Sequence, residues 1–253
     1  MTQIPFEDRV MSIAAPIEAS QSGEKKSSRR RFIGRLGGSL LLYRASNSFH
    51  AYCSEPNAKD NAWNNDSWDG WMTVNGEAVP GAWERKDGII YLRKMPERTG
   101  HIVTRQEYGD FNLEFEWKIA PGGNSGIKYR VQRYDDRMLG CEYQIYDARS
   151  SAVDPKNQTG SIYDLYEPNP DSKANPPLEW NFSRIQLKDD RIEHWLNGSK
   201  IVTATIGDAD WQRRIAESKF NDLPNFARNP RGRIMLTDHG SEVWYRNIQF
   251  TEL

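Results

Sequence analysis

Two cysteines in 253 residues are too few for a disulfide framework or a cysteine-based zinc centre. Cys53 falls in the N-terminal tract, where bulky Tyr52 argues against a lipid-attachment site. Cys141 lies in the run GCEYQIYD, whose alternation turns it inward as a buried, inert thiol. No stretch approaches the roughly 20 apolar residues needed to cross a bilayer, so no stable membrane insertion is expected. Neither charge dominates, with 34 Lys and Arg against 35 Asp and Glu. The first 60 residues carry nine basic and six acidic side chains, which leaves residues 61–253 acidic by four. An acidic globular part argues against nucleic acid as the partner, because phosphate neutralisation needs a basic face. Strand–helix–strand rhythm, internal repeats and a nucleotide-binding loop are also lacking.

Residues 1–60 read as a tract apart. They are polar and small up to Ser28. The stretch SRRRFIGRLGGSLLLYRAS follows, in which Ser28, Arg29, Arg30 and Phe32 match a twin-arginine export signal ahead of a short apolar run. The expectation is an export signal with a disordered linker, carrying the protein to the periplasm or cell envelope; a merely basic tail is the competing reading. A receptor-read address plays no part in the fold.

From about Trp63 the chain alternates. FNLEFEWKI sets Phe111, Leu113, Phe115, Trp117 and Ile119 against Asn112, Glu114, Glu116 and Lys118, a strict period of two that predicts a half-buried strand. RIQLKDDRIEHWLNGSKIVTATI predicts three short strands with tight turns at Asp189-Asp190 and Asn197-Gly198. RGRIMLTDHGSEVWYRNIQFTEL predicts two more around His239-Gly240-Ser241. The one helical candidate is DADWQRRIAESKF, with Asp208 as its cap. Many short strands and one short helix predict a single all-β domain over 61–253, an antiparallel two-sheet sandwich.

In PGGNSGIKYRV, Ile127 and Tyr129 point one way and Lys128 and Arg130 the other; in GCEYQIYD, Glu142, Gln144 and Tyr146 share the face that Cys141, Tyr143 and Ile145 do not use. Two neighbouring strands are thus expected to present Lys128, Arg130, Glu142, Gln144 and Tyr146 to one surface, with Asn124 at its start. A solvated outer face is the bland alternative. Tyr163, Trp180 with Asn181, Trp195, and Trp244 near Arg246 recur beside amide or charged groups. Aromatic faces stack on sugar rings while amides and charges bond hydroxyls, so the expected ligand is carbohydrate. The irregular stretches 147–161 and 167–179 are expected to wall a cleft at the rim of a concave sheet.

The motifs YGDFNLEFEWK, PGGNSGIKYRV, GCEYQIYD, TGSIYDL, EWNFSRI, IEHWLNG, SKF, DHG and VWYRNI, in this order from about Trp68 to Leu253, resemble the 3-keto-disaccharide hydrolase domain family. In this sequence Thr237 precedes Asp-His-Gly where Gln is usual. The resemblance implies a concanavalin A-like jelly roll, export, and cleavage of glycosides oxidised at sugar carbon 3. Such chemistry needs a base for the acidified C2 proton, a cation or metal at the C3 oxygen, and an acid toward the leaving oxygen. Glu142 is the expected base, Arg130 or Arg246 the cation, and His194 a further catalytic candidate. His194, His239 and Asp238 are candidates for a divalent metal. For His194, between Ile192 and Leu196, a core imidazole is the plain alternative, and for His239 a turn residue. A non-catalytic, lectin-like binding module is the rival for the whole domain, since fold does not fix function.

Overall fold

A computed structural model describes residues 62–63, 66–147, 149 and 153–253; the export-signal segment lies outside the described residues. Its strands are β1 (Trp71–Thr73), β2 (Trp83–Lys86), β3 (Ile89–Leu92), β4 (Ile102–Thr104), β5 (Phe111–Ile119) and β6 (Asn124–Tyr134). After these come β7 (Arg137–Tyr146), β8 (Asn181–Lys188), β9 (Arg191–Leu196), β10 (Ser199–Thr205), helix α1 (Ala209–Ala216), β11 (Arg233–Leu236) and β12 (Val243–Glu252). A five-stranded sheet runs β1-β4-β11-β6-β7 and a seven-stranded sheet β10-β9-β8-β5-β12-β3-β2, with antiparallel pairing throughout. This is the jelly-roll sandwich, with one short α-helix among the described residues.

Local chemistry builds it as the sequence predicts. β5 alternates buried and half-buried over its whole length, and β8, β9 and β10 form a meander. Its two turns place Asp189 (φ 48°) with Asp190 (φ 62°), and Asn197 (φ 47°) with Gly198 (φ 86°), in the left-handed region, the paired geometry that suits the twist of a hairpin. The Asp208 carboxylate accepts from Trp211 N at 2.7 Å and caps α1, whose Trp211 is buried.

The inward faces of both sheets pack a core containing Phe111, Leu113, Phe115, Trp117, Ile127, Tyr143, Ile145, Ile185 and Leu187. Each such side chain contributes about 1.5–3 kcal/mol by leaving water. Polar atoms in this core are paired across it. Trp117 Nε1 donates to Ser183 Oγ at 2.8 Å, and that hydroxyl meets Tyr143 OH of the opposite sheet at 2.8 Å. Cys141 is buried here, and burial pushes its thiol up to about 12, so it is inert.

Candidate active site

Glu142 organises the outer face of the five-stranded sheet. Register pairs Lys128 with Glu142, Gly126 with Gln144 and Asn124 with Tyr146 across β6 and β7, so all six positions share that face. The Glu142 side chain lies flat across Gly126. A Cβ added there would stand 2.3 Å from Oε1, so the glycine provides the space in which the carboxylate rests. Thr237 Oγ1 donates to Oε1 at 3.4 Å, and Lys128 Nζ stands 3.9 Å from Oε2. On its other flank the chain at 160–163 extends the sheet edge. Gly160 N donates to Gln144 O at 2.8 Å and Tyr163 N to Glu142 O at 3.0 Å. Ile162 faces the core, and alternation puts Ser161 and Tyr163 beside Gln144 and Glu142.

Two imidazoles complete the group. His101 and His239 meet edge to face at 5.8 Å between ring centres. Asp238 N donates to His101 Nδ1 at 2.8 Å, which leaves the proton of neutral His101 on Nε2. The Asp238 carboxylate is itself occupied: it accepts from Thr99 N (2.8 Å), Gly100 N (3.0 Å) and Gly240 N (2.8 Å), locking the two loops that carry the imidazoles. Burial, and then His101, Lys128, Arg98 and Lys219, push His239 down to about 3. It is therefore a neutral ring at ordinary pH, with one nitrogen to donate and one to accept a hydrogen bond.

Several expected site residues are not brought here. Arg130 falls at a β-bulge, with φ 49° and a register shift between Tyr129 and Gln132, and the extra residue turns its side chain off the Glu142 face. Its guanidinium instead bonds Asp110 at 2.8 Å and Asp190 at 3.1 Å, tying β6 to loops of the other sheet. His194 is wholly buried between the sheets, with Nδ1 at 2.9 Å from Gly160 O and Nε2 at 3.0 Å from Tyr129 OH. Burial lowers it to about 4, so it is the core imidazole. Asn181 is buried, accepting from Asn175 N and Asn197 Nδ2 at 2.7 and 3.0 Å, and it holds a loop rather than an open surface.

Trp180, Trp195 and Arg246 belong to the outer face of the seven-stranded sheet. There Arg246 lies 3.9 Å over Trp180 and bonds Glu116 at 2.7 Å, and Arg184 lies 4.1 Å over Trp195. The metal candidates do not assemble either. His194 is in the core and Asp238 is taken by backbone N–H groups. Among the described residues no three His, Cys, Asp or Glu side chains gather as a ligand set. These described side chains do not fit a divalent metal.

Asn124, Lys128, Gln144, Tyr146 and Tyr163 do share the Glu142 region, and Asn124 Oδ1 is a buried acceptor without a partner among the described residues. Described residues from both irregular stretches, among them Gln158, Pro168 and Asn175, line a cavity of about 300 Å³ together with Trp117, Tyr146 and Asn181. Sequence reasoning missed Gly126 as the seat of the carboxylate, together with His101, Thr237 and Lys219. For His101 a signal existed: it stands two residues before Val103, hence on the same strand face.

A sandwich with one carboxylate laid beside a lysine and two imidazoles on the outer face of a sheet belongs with the glycosyl hydrolase-like jelly rolls. A candidate glycosyl hydrolase from Parabacteroides distasonis superposes with a TM-score of 0.68 at 32% identity, over 76% of this chain and 92% of its own. A second from the same organism gives 0.57 at 25% identity, over 72% and 99%. More particularly, the chain belongs to the 3-keto-alpha-glucoside-1,2-lyase-like domain family, whose model matches residues 59–251. A 3-keto-disaccharide hydrolase of Bacteroides thetaiotaomicron is 27% identical over 216 residues, covering 72% of this chain and 74% of that protein.

Proposed function

We propose that the domain cleaves glycosides whose sugar is oxidised at C3, with Glu142 as the base. The observation that carries this reading is the Glu142 carboxylate seated over Gly126, beside Lys128 and Thr237. A ketone at C3 acidifies the C2 proton. Glu142 takes that proton, the C2–H electron pair becomes the C2–C3 double bond, and the C3 oxygen becomes an oxyanion. When the ketone reforms, the pair moves to C1–C2 and the C1–oxygen bond breaks. The leaving oxygen then takes a proton, and water added across C1–C2 completes net hydrolysis. Lys128 stands beside the carboxylate, and the Nε2–H of His101 is a donor of the kind the leaving oxygen needs.

Catalysis fits better than a lectin-like role because the expected stacking rings, Trp180 and Trp195, lie on the other sheet under guanidinium groups. Family membership and the 3-keto-disaccharide hydrolase relative support the same substrate class. Ser28 to Phe32 support export to the envelope by the twin-arginine route. The test is product analysis with a panel of 3-keto-glycosides and their unoxidised parents. Cleavage confined to the keto-sugars is expected; equal cleavage of both classes would point instead to an ordinary two-carboxylate glycosidase.

A further inference from the structure

The elimination needs a cation at the C3 oxygen, and the two arginines expected from sequence are unavailable. Arg130 is held by Asp110 and Asp190, and Arg246 by Glu116. The SKF stretch, Ser218 to Phe220, delivers another cation. Its backbone is fixed. Lys219 N donates to Asp164 Oδ2 at 2.8 Å, Ser218 Oγ donates to Ile215 O at 2.8 Å, and Phe220 N donates to Ser218 Oγ at 3.1 Å. Phe220 stacks on Phe226 at 3.9 Å, with ring planes 6° apart. From this anchor the Lys219 ammonium reaches 4.3 Å from the centre of the Tyr163 ring, and Tyr163 is the residue whose N–H bonds Glu142 O. Among the described residues no carboxylate forms an ion pair with that ammonium, although Arg–carboxylate pairs are common among them. A rigidly mounted lysine without a counter-charge, parked on an aromatic face at the edge of a carboxylate site, is arranged to meet an anion that appears only during reaction.

We propose that Lys219 is the cation that holds the oxyanion formed at C3. The inference rests on the elimination reading above for the identity of that oxyanion. As the C2 proton passes to Glu142, the Lys219 ammonium leaves the Tyr163 ring for the C3 oxygen. It keeps its own protons as hydrogen-bond donors and releases the oxygen when the ketone reforms. Lys128 stands close to the base, whereas Lys219 acts on the substrate.

The experiment compares Lys219→Met, Lys219→Arg and wild type on two readouts. On a 3-keto-glycoside, Lys219→Met is expected to lower kcat by about 10²–10³ with KM within about threefold, the pattern of an interaction made in the transition state. Lys219→Arg should recover part of that loss. The second readout needs no turnover: binding of kojic acid, a pyranone whose ketone adjoins an enol hydroxyl, followed by its ultraviolet absorbance. Wild type should bind it as the enolate, and Lys219→Met at least about tenfold more weakly. Methionine at this exposed position leaves the fold intact, which a melting curve checks. If wild type cleaves keto-glycosides and Lys219→Met does so within threefold, the inference falls while the proposed reaction stands. If wild type cleaves nothing yet binds the enolate through Lys219, the reaction falls and the oxyanion site stands. Failure of wild type to bind kojic acid would overturn the site.

Discussion

The outer faces of the two sheets look alike in sequence: both alternate apolar-in and charged-out, and both carry lysine, arginine and glutamate. They differ in how the charges are used. On the seven-stranded sheet the cations are largely spent on neighbours. Arg246 bonds Glu116, Lys200 and Arg191 share Glu193 at 3.1 Å each, and Lys118 lies 5.0 and 4.8 Å from the Trp180 and Trp244 rings. On the five-stranded sheet Glu142 rests over a glycine, its nearest lysine stands off at 3.9 Å, and two imidazoles stand near by. A satisfied face contributes solubility and a little stability. A face that holds a carboxylate over a glycine, beside a lysine and two imidazoles, can do chemistry.

The largest break in this contrast should come from Glu142→Gln. Amide for carboxylate keeps the shape over Gly126, so a turnover loss of about 10²–10⁴ is expected, the usual worth of a general base. Ligand affinity measured by calorimetry should stay within about tenfold. Arg130→Ala should do the reverse. Its side chain is only 9% exposed and leaves Asp110 and Asp190 unpaired, so denaturant melts should show a loss of about 2–3 kcal/mol, discounted from a fully buried pair because Asp190 is exposed. Activity per folded molecule should persist.

Gly126→Ala sharpens the comparison at smaller scale. The new Cβ would displace the Glu142 carboxylate rather than the backbone, and a shift of about 1 Å can cost up to about 10² in kcat. Far-ultraviolet spectra should remain unchanged. Least of all should come from Trp180→Ala and Trp195→Ala, which remove cation-stacked rings on the other sheet. Turnover within twofold and a stability loss of at most about 1 kcal/mol are expected in steady-state assays and melts.

Where the determinants are local, the sequence is readable. Asn197-Gly198 and Asp189-Asp190 mark turns because few other pairs tolerate two left-handed residues, and Asp208 marks the helix because its carboxylate meets Trp211 N. Alternation also places Lys128, Glu142, Gln144 and Tyr146 on one face, as β6 and β7 then pair them. It fails at Arg130, because one inserted residue inverts every later face of the strand and nothing in the run IKYRV announces it. For His101 alternation with Val103 gives the face but not its neighbours, and for Lys219 it gives nothing. His101 arrives through the pairing of β4 with β11, and Lys219 through a loop after α1 tied to Asp164. Such long-range placements depend on topology, which periodicity does not encode. For His194 the plain reading stands, since a ring flanked by Ile192 and Leu196 on an inward face meets only core partners.

The central claim is that bond cleavage begins with removal of the C2 proton by a group on the five-stranded sheet. A 3-keto-glycoside deuterated at C2, incubated with wild type and with Glu142→Gln, tests it directly. The account predicts slowed cleavage or loss of the label to solvent with wild type, and neither exchange nor cleavage at a comparable rate with the variant. Product that retains the full label, formed at the rate of the unlabelled substrate, would mean direct attack at C1 and would contradict it.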